Sequence, residues 1–302
     1  MKSYYGRPIL KEPVWQPEIP AYFFAGGLGG ASSVLSLVAR VRGDELLARR
    51  SIYVGAAADA VSPLLLISDL GRPERFLNML RVFKLTSPMS VGSWILAVSS
   101  AGSSGAAFLN AIGRLRRVGD VARTVSAVSG APLAVYTATL ISDTAIPVWH
   151  EARRELPFLF GSSAAASAGA AAAIAVPARE AAPARRLAIG GALVESAVML
   201  AMKRRLGLLG EPYDRDEAGR SAKVAKACSL GGATLLALAG RKSRLASSAG
   251  GALILAGELA LRWSVFKAGF QSARDPKYTV LAQRERAIRR GAGARSDLLA
   301  RP

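Results

Sequence analysis

Apolar and polar positions along this chain fall into long blocks rather than alternating at a short period. Eight apolar segments can be marked, at roughly 20–39, 51–68, 90–112, 124–142, 157–176, 186–202, 224–240 and 246–266, with stretches dense in Arg between them. Several reach the ~20 residues that carry a helix across ~30 Å of hydrocarbon. The pattern therefore predicts an all-α integral membrane protein with eight transmembrane helices. The sixth and seventh segments are short and suit a thin or locally protected position.

Many segments are rich in Ala, Gly and Ser, as in "FAGGLGGASSVLS" and "GSSAAASAGAAAAIAV". Small residues let membrane helices approach closely and pack by van der Waals contact. The Val, Leu, Ile and Phe woven through them argue against low-complexity linkers. The stretch "GGLGGAS" from Gly26 to Ser32 has the look of a nucleotide loop. It lacks a preceding strand, the G-x-G-x-x-G spacing and a Walker lysine, so a close-packed membrane helix accounts for it better.

One stretch changes character midway. In "LLLISDLGRPERFLNML" (Leu64–Leu80) the second crossing ends near Ser68 and Asp69 begins the return to water. Gly71 and Pro73 break the helix, and Pro73 is placed to start another. Phe76, Leu77, Met79 and Leu80 then cluster on one side, with Arg72, Arg75 and Arg81 as a basic rim. That is how a helix lying in the membrane interface is built, and one is expected near 73–82.

Composition narrows the chemistry. The 302 residues are 51% hydrophobic, with a mean hydropathy of +0.27 and a formal charge of +19. Such a charge would suit nucleic acid, but Lys and Arg collect between the apolar segments, as they do at membrane interfaces. Cys228 is the only cysteine, so there is no internal disulfide and no Cys-ligated cluster. His150 is the only histidine, so one chain cannot supply two His ligands to a haem. If the chain handles electrons, it borrows the redox centres from partners. The N-terminal "MKSYYGRPILKEPVWQPEIP" lacks the apolar core and cleavage site of a signal peptide, so the first segment is expected to remain in the mature protein.

Four acidic residues lie in or beside apolar segments: Asp59, Asp143, Glu195 and Glu258. Ionisable groups there are costly and need a partner or a function. Glu258 and Arg262 are spaced i, i+4 and can pair along one helix face. Asp59 and Glu195 have no obvious local partner, and are candidates either for a proton route or for buried polar contacts between helices. Asp143 lies near a segment end and is expected to be wet. His150 reads as a surface loop residue.

The stretch "DLGRPERFLNMLRVFKLTSPMSVGSW" (Asp69–Trp94) resembles the signature of the NrfD/PsrC-type membrane subunits, named after nitrite and polysulfide reductases. "YYGRP…W…IPAYFFAGGLGG", "YTATLIS…IPVWHEARRELPFLF" and "GFQSARDPKYTV" agree with it. The resemblance covers most of the first half and the end of the last helix, while 160–245 adds little. It implies eight helices in two four-helix bundles, with residues 1–150 forming the signature-bearing half and 151–302 the second half with a basic tail. It also implies a membrane subunit, with no metal, haem or iron–sulfur cluster of its own, that exchanges electrons between the menaquinone or other quinone pool and a ferredoxin-like iron–sulfur subunit. That partner in turn serves a molybdenum or tungsten catalytic subunit. The family's quinone site lies near the start of the first helix and a tyrosine of the fourth. Here those places hold Glu18 and Tyr136, with Trp15 nearby as either a quinone contact or an interfacial anchor. A family histidine near the start of the first helix has no counterpart in "EIPAYFF".

Three functions stay open on these residues: a quinone-reactive subunit, an inert anchor for the complex, and a proton-translocating module using Asp59 and Glu195. The setting is a cell (plasma) membrane, with lipid and quinone as companions and no nucleic acid. Eight crossings place both termini on one side. The opposite loops are short and basic, which puts that side in the cytoplasm, although Arg284, Arg286, Arg289 and Arg290 of the tail pull the other way.

Overall fold

The structure, a computed structural model, describes residues 9–70, 72 and 74–280, with Arg75 and Leu77 described by their backbone alone. The basic tail containing Arg284, Arg286, Arg289 and Arg290 lies outside the described residues. Among these there are ten α-helices, one 3₁₀ helix and no strand. The long helices are α1 (Glu18–Val41), α2 (Glu45–Asp69), α4 (Pro88–Ile112), α5 (Arg116–Ser142), α7 (Leu156–Ala175), α8 (Ala182–Leu206), α9 (Asp216–Leu238) and α10 (Arg244–Arg274). Short helices α3 (Glu74–Met79) and α6 (Pro147–Glu151) and the 3₁₀ helix Gly207–Tyr213 occupy connections.

Each apolar segment falls on one long helix, and the helices run past most of the segments because polar and basic residues continue them beyond the apolar stretch. Six of the eight, α1, α2, α4, α5, α7 and α10, are long and apolar enough to cross a membrane. The chain is a multi-pass membrane protein. Helices α8 and α9 have the length, at 25 and 23 residues, but their charged ends leave them less apolar than the other six. They correspond to the two segments that read as short.

Local chemistry explains where helices begin. Asp44 caps α2, its side chain accepting from Leu47 N at 3.0 Å, after a turn in which Gly43 takes φ +80°. Ser87 caps α4 ahead of Pro88, and Ser243 caps α10 by accepting from Ala246 N at 3.2 Å. Such caps satisfy amide groups that a helix start otherwise leaves unpaired.

Helix α1 packs on α2 and α5, and α4 closes against both α2 and α5. Helix α10 packs on α9 and α7, and α7 on α8. Helix α7 also touches α1, α2 and α5, so it joins the two groups. This explains its composition: Ala164, Ala166, Ala168 and Ala170–Ala173 are all buried, and alanine admits neighbours on every side. At the α1–α5 crossing the backbones meet at Gly30 and Gly130, where a Cβ on Gly130 would stand 3.0 Å from the Gly30 Cα. The glycine-rich stretch of α1 is thus a packing surface. Ser33 and Ser126 bridge the same crossing by a 2.7 Å hydrogen bond.

Where an interfacial helix is expected near 73–82, the chain forms a short helix of six residues, Glu74–Met79; Pro73 lies outside the described residues. The chain leaves helical geometry after Met79, turns at Leu80–Arg81 and runs irregularly to the Ser87 cap.

Candidate functional site

The first helix starts, the second ends, the fourth starts and the fifth ends at one face of the molecule, and α3 lies among them. A small enclosed cavity of about 50 Å³ opens there, walled by Trp15, Tyr22, Asp69, Met79, Ser93 and Tyr136 with apolar neighbours. Of the residues singled out by sequence, Trp15 and Tyr136 share this cavity. Glu18 is not one of its walls; it sits in the first turn of α1, next to the Asp69 carboxylate, which it repels. One Glu18 carboxylate oxygen, Oε2, is buried without a hydrogen-bond partner.

Each wall has a local cause. Tyr136 is 9% exposed, and its ring lies close against Gly92 on α4, where any larger residue would collide with it. Trp15 stacks on Trp149 with ring centroids 5.7 Å apart. Trp149 is fully buried in turn, donating from Nε1 to the Val265 carbonyl at 2.7 Å and packing against Phe266 and Phe270 of α10. The entry segment is therefore pinned by both halves of the chain. Asp69 Oδ1 accepts from Gln16 N at 2.8 Å, tying the end of α2 to the segment that leads into α1.

The cavity has room for one or two waters, well short of the ~300 Å³ at the small end of ligand pockets. A larger ring needs α3 or Trp15 to shift. Beside it, on the outer surface, Phe83, Trp94, Ile95, Val98 and Ser129 line a wholly apolar groove, with Phe83 set edge-on to Trp94.

Sequence reasoning missed Asp69 and Tyr22 as walls of this cavity, and Trp149 as the support behind Trp15. Trp149 stands inside "IPVWHEARRELPFLF", so the signal was present but the neighbouring histidine drew the attention. His150 is exposed, on α6 rather than in a loop, with Nδ1 3.3 Å from the Ser142 carbonyl. Asp143 is exposed.

The buried acids lie elsewhere. Asp59 is fully buried mid-way along α2; its Oδ2 accepts from Ser99 Oγ at 3.0 Å and Ser103 Oγ at 2.8 Å, both on α4. Its Oδ1 has no partner. Glu195 lies beside Glu258, whose Oε1 accepts from Ser229 Oγ at 2.9 Å. Glu258 and Arg262 do not form a direct ion pair. Arg262 instead donates from Nη2 to the Phe160 carbonyl at 2.9 Å and lies over the Phe160 ring, 3.7 Å from its centroid. The ring face and carbonyl of α7 hold the guanidinium in place of the carboxylate. Among the described residues no group of three or more His, Cys, Asp or Glu is arranged to hold a metal.

At the same face, the last signature stretch works as a latch. Arg274 holds Glu12 through two hydrogen bonds of 2.9 and 3.0 Å. Lys277 Nζ and Tyr278 Oη reach Glu211 Oε2 at 2.9 and 3.0 Å, and Arg215 pairs with its other oxygen. The Lys277 hydrogen bond holds the Glu211 carboxyl below its usual range, against the cost of desolvation and with help from Tyr278 and Arg215.

These features define a polytopic, all-helical membrane protein with an aromatic, carboxylate-edged cavity at one end of its helices. The profile of the polysulfide reductase family, of the NrfD type, matches residues 1–274, and the chain belongs to that family. No curated protein sequence matches the chain closely enough to serve as a relative.

Proposed function

We propose that this chain is the quinone-reactive membrane subunit of a multi-subunit oxidoreductase. It exchanges electrons between a membrane quinone and an iron–sulfur partner that serves a molybdenum or tungsten enzyme. The observation that carries the reading is the meeting of Trp15, Tyr136 and Asp69 in one cavity, with Met79 at the end of α3 in its wall. Tyr136 can donate to or accept from a quinone oxygen. Quinol oxidation releases two protons with two electrons, and the Glu18–Asp69 pair at the helix ends offers carboxylates to receive them. The apolar groove at Phe83 and Trp94 suits an isoprenoid tail approaching from lipid. The quinone is an exchangeable substrate, and the redox centres belong to partners.

In this reading α8 and α9 also cross, giving eight spans in two four-helix bundles divided near residue 150, in a plasma membrane. The Arg-rich short loops lie in the cytoplasm and the cavity faces the other side.

A bound-quinone assay on the purified complex tests the function. Stoichiometric quinone that falls on Tyr136→Phe and Trp15→Leu supports it. A complex that turns over while binding no quinone would reduce the subunit to an anchor. A proton-translocating role is the second reading, favoured by the unpartnered oxygens of Asp59, Glu195 and Glu258 inside the helices. Proton release into vesicles that depends on Glu195, beyond the two protons of quinol chemistry, would support it.

A further inference from the structure

The opposite end of the first four long helices carries a second cavity, of about 600 Å³, between the end of α1, the start of α2, the end of α4 and the start of α5. Its size falls among ligand pockets. Four arginines line it, Arg40, Arg49, Arg116 and Arg123, with two acids, Glu45 and Asp120. The acids are already engaged. Asp120 takes two hydrogen bonds of 3.0 Å from Arg40 and one of 2.8 Å from Arg123, and Glu45 pairs with Arg40. Arg49 and Arg116 are exposed and make no ion pair among the described residues, so they leave the cavity with a net positive charge.

Two further donors in the walls lack partners. Arg123 is 3% exposed, and its Nε has no hydrogen-bond acceptor; Asn110 Nδ2 is likewise buried and unpaired. A buried guanidinium N–H without an acceptor is costly, and here it belongs to a wall of a cavity already lined with arginine. The chemistry that would satisfy it is a phosphate oxyanion, which arginine recognises with paired N–H groups.

The setting selects the source of that phosphate. All four helices around the cavity are membrane-spanning by length and composition, so the cavity sits where their ends leave hydrocarbon. Phe108 and Ile112 on α4 and Leu115 beside it expose 65%, 46% and 66% of their surface at the same end. A headgroup in the cavity would leave its acyl chains along such a wall. Basic pockets between helix ends are how membrane proteins hold anionic lipids. We propose that this cavity is a binding site for the phosphodiester headgroup of an anionic phospholipid, gripped by Arg49 and Arg116 at the mouth and by Arg123 and Asn110 within.

The test uses the full chain in mild detergent, exposed to phosphatidylglycerol, phosphatidylcholine of the same acyl chains, or inorganic phosphate, with retained lipid read by native mass spectrometry. Phosphatidylglycerol should be retained about tenfold better than phosphatidylcholine, as two charge-assisted contacts imply. The double variant Arg49→Gln, Arg116→Gln should lose that preference. Both residues are exposed, so the fold should survive, and an unchanged melting temperature checks it. Arg153→Gln with Arg154→Gln, exposed at the other end of the molecule, should change nothing. Equal retention of the two lipids, or an undiminished preference in the double variant, overturns the proposal. Displacement of phosphatidylglycerol by millimolar phosphate also overturns it, because the site would then take a soluble anion.

Discussion

Gly29 on α1 lies directly against the carboxyl group of Asp59 on α2, so closely that a Cβ at position 29 would stand 2.8 Å from the Asp59 Cγ. The absence of a side chain at one residue makes the space for a buried acid at the other. Gly29→Ala should therefore destabilise the protein by about 1–3 kcal/mol, the usual range for overpacking. Asp59→Ser in the same molecule should return part of that loss, because the shorter side chain clears the space. A double-mutant cycle read by thermal unfolding in detergent measures the coupling. Strictly additive effects would mean that the two residues do not meet.

Ser99 and Ser103 hold the other oxygen of Asp59. Replacing both with Ala should cost about 1–3 kcal/mol and leave a buried carboxyl without donors. Asp59→Asn should cost less, since the amide oxygen still accepts from a serine hydroxyl and the other hydroxyl can turn to accept from the amide N–H. Stability measured in the same detergent checks the order: wild type, then Asp59→Asn, then the double serine variant.

Tyr136→Phe removes a single hydroxyl and keeps the ring that packs on Gly92. In the assembled complex it should slow quinone turnover roughly three- to tenfold, the value of one hydrogen bond. Dye-linked activity of the catalytic subunit should stay intact. Glu18→Gln should also slow quinone turnover, because the amide cannot take up a proton. Unchanged turnover in both variants would move the quinone site elsewhere.

The latch at Glu211 makes a pH prediction. Its carboxyl is held below the ordinary glutamate value, chiefly by the Lys277 hydrogen bond. The stability it adds is fully present above the unfolded-state value of ~4.3 and is lost as pH falls through the lower folded value. Lys277 is raised by the same contact, so its share is present below its ordinary value and lost only in strong alkali. Melting temperature should therefore fall on acidification below about pH 4, and Glu211→Gln should flatten that acidic limb. An unchanged limb in the variant would show that other groups set it.

A spectrum of the purified chain without partners should show neither a Soret band nor iron–sulfur absorbance, since one His and one Cys cannot hold either centre. Stoichiometric haem in the monomer would remove the cofactor-free reading.

Most of the architecture was legible because a membrane reduces folding to long apolar blocks, and each block became one helix. The identity of the buried acids' partners was not. Ser99 and Ser103 are four apart on α4 and so share a face, but nothing local says that this face meets Asp59, forty residues earlier. The expected Glu258–Arg262 pair shows the reverse failure. Correct i, i+4 spacing was present, yet the guanidinium found the Phe160 carbonyl and ring on α7, a neighbour more than a hundred residues away in sequence. At the cavity, Tyr136 and Trp15 were nameable through the resemblance. Asp69 was read only as the point where the chain meets water, because its bond to the Gln16 amide joins two segments that are distant in sequence.

The alanine helix α7 inverts a habit of membrane-protein engineering. For a span that faces lipid, exchanging Ala for Leu favours insertion and is generally harmless. With neighbours on all sides, α7 has almost no contact with lipid to gain, and a bulkier residue can only push its neighbours away. Ala170, fully buried, is approached so closely by α10 that its carbonyl oxygen would stand 2.9 Å from a Cβ on Gly251. Ala170→Leu should thus make the segment better at entering the bilayer and worse at assembling there. The yield of inserted chain would rise or hold while the yield of folded protein fell.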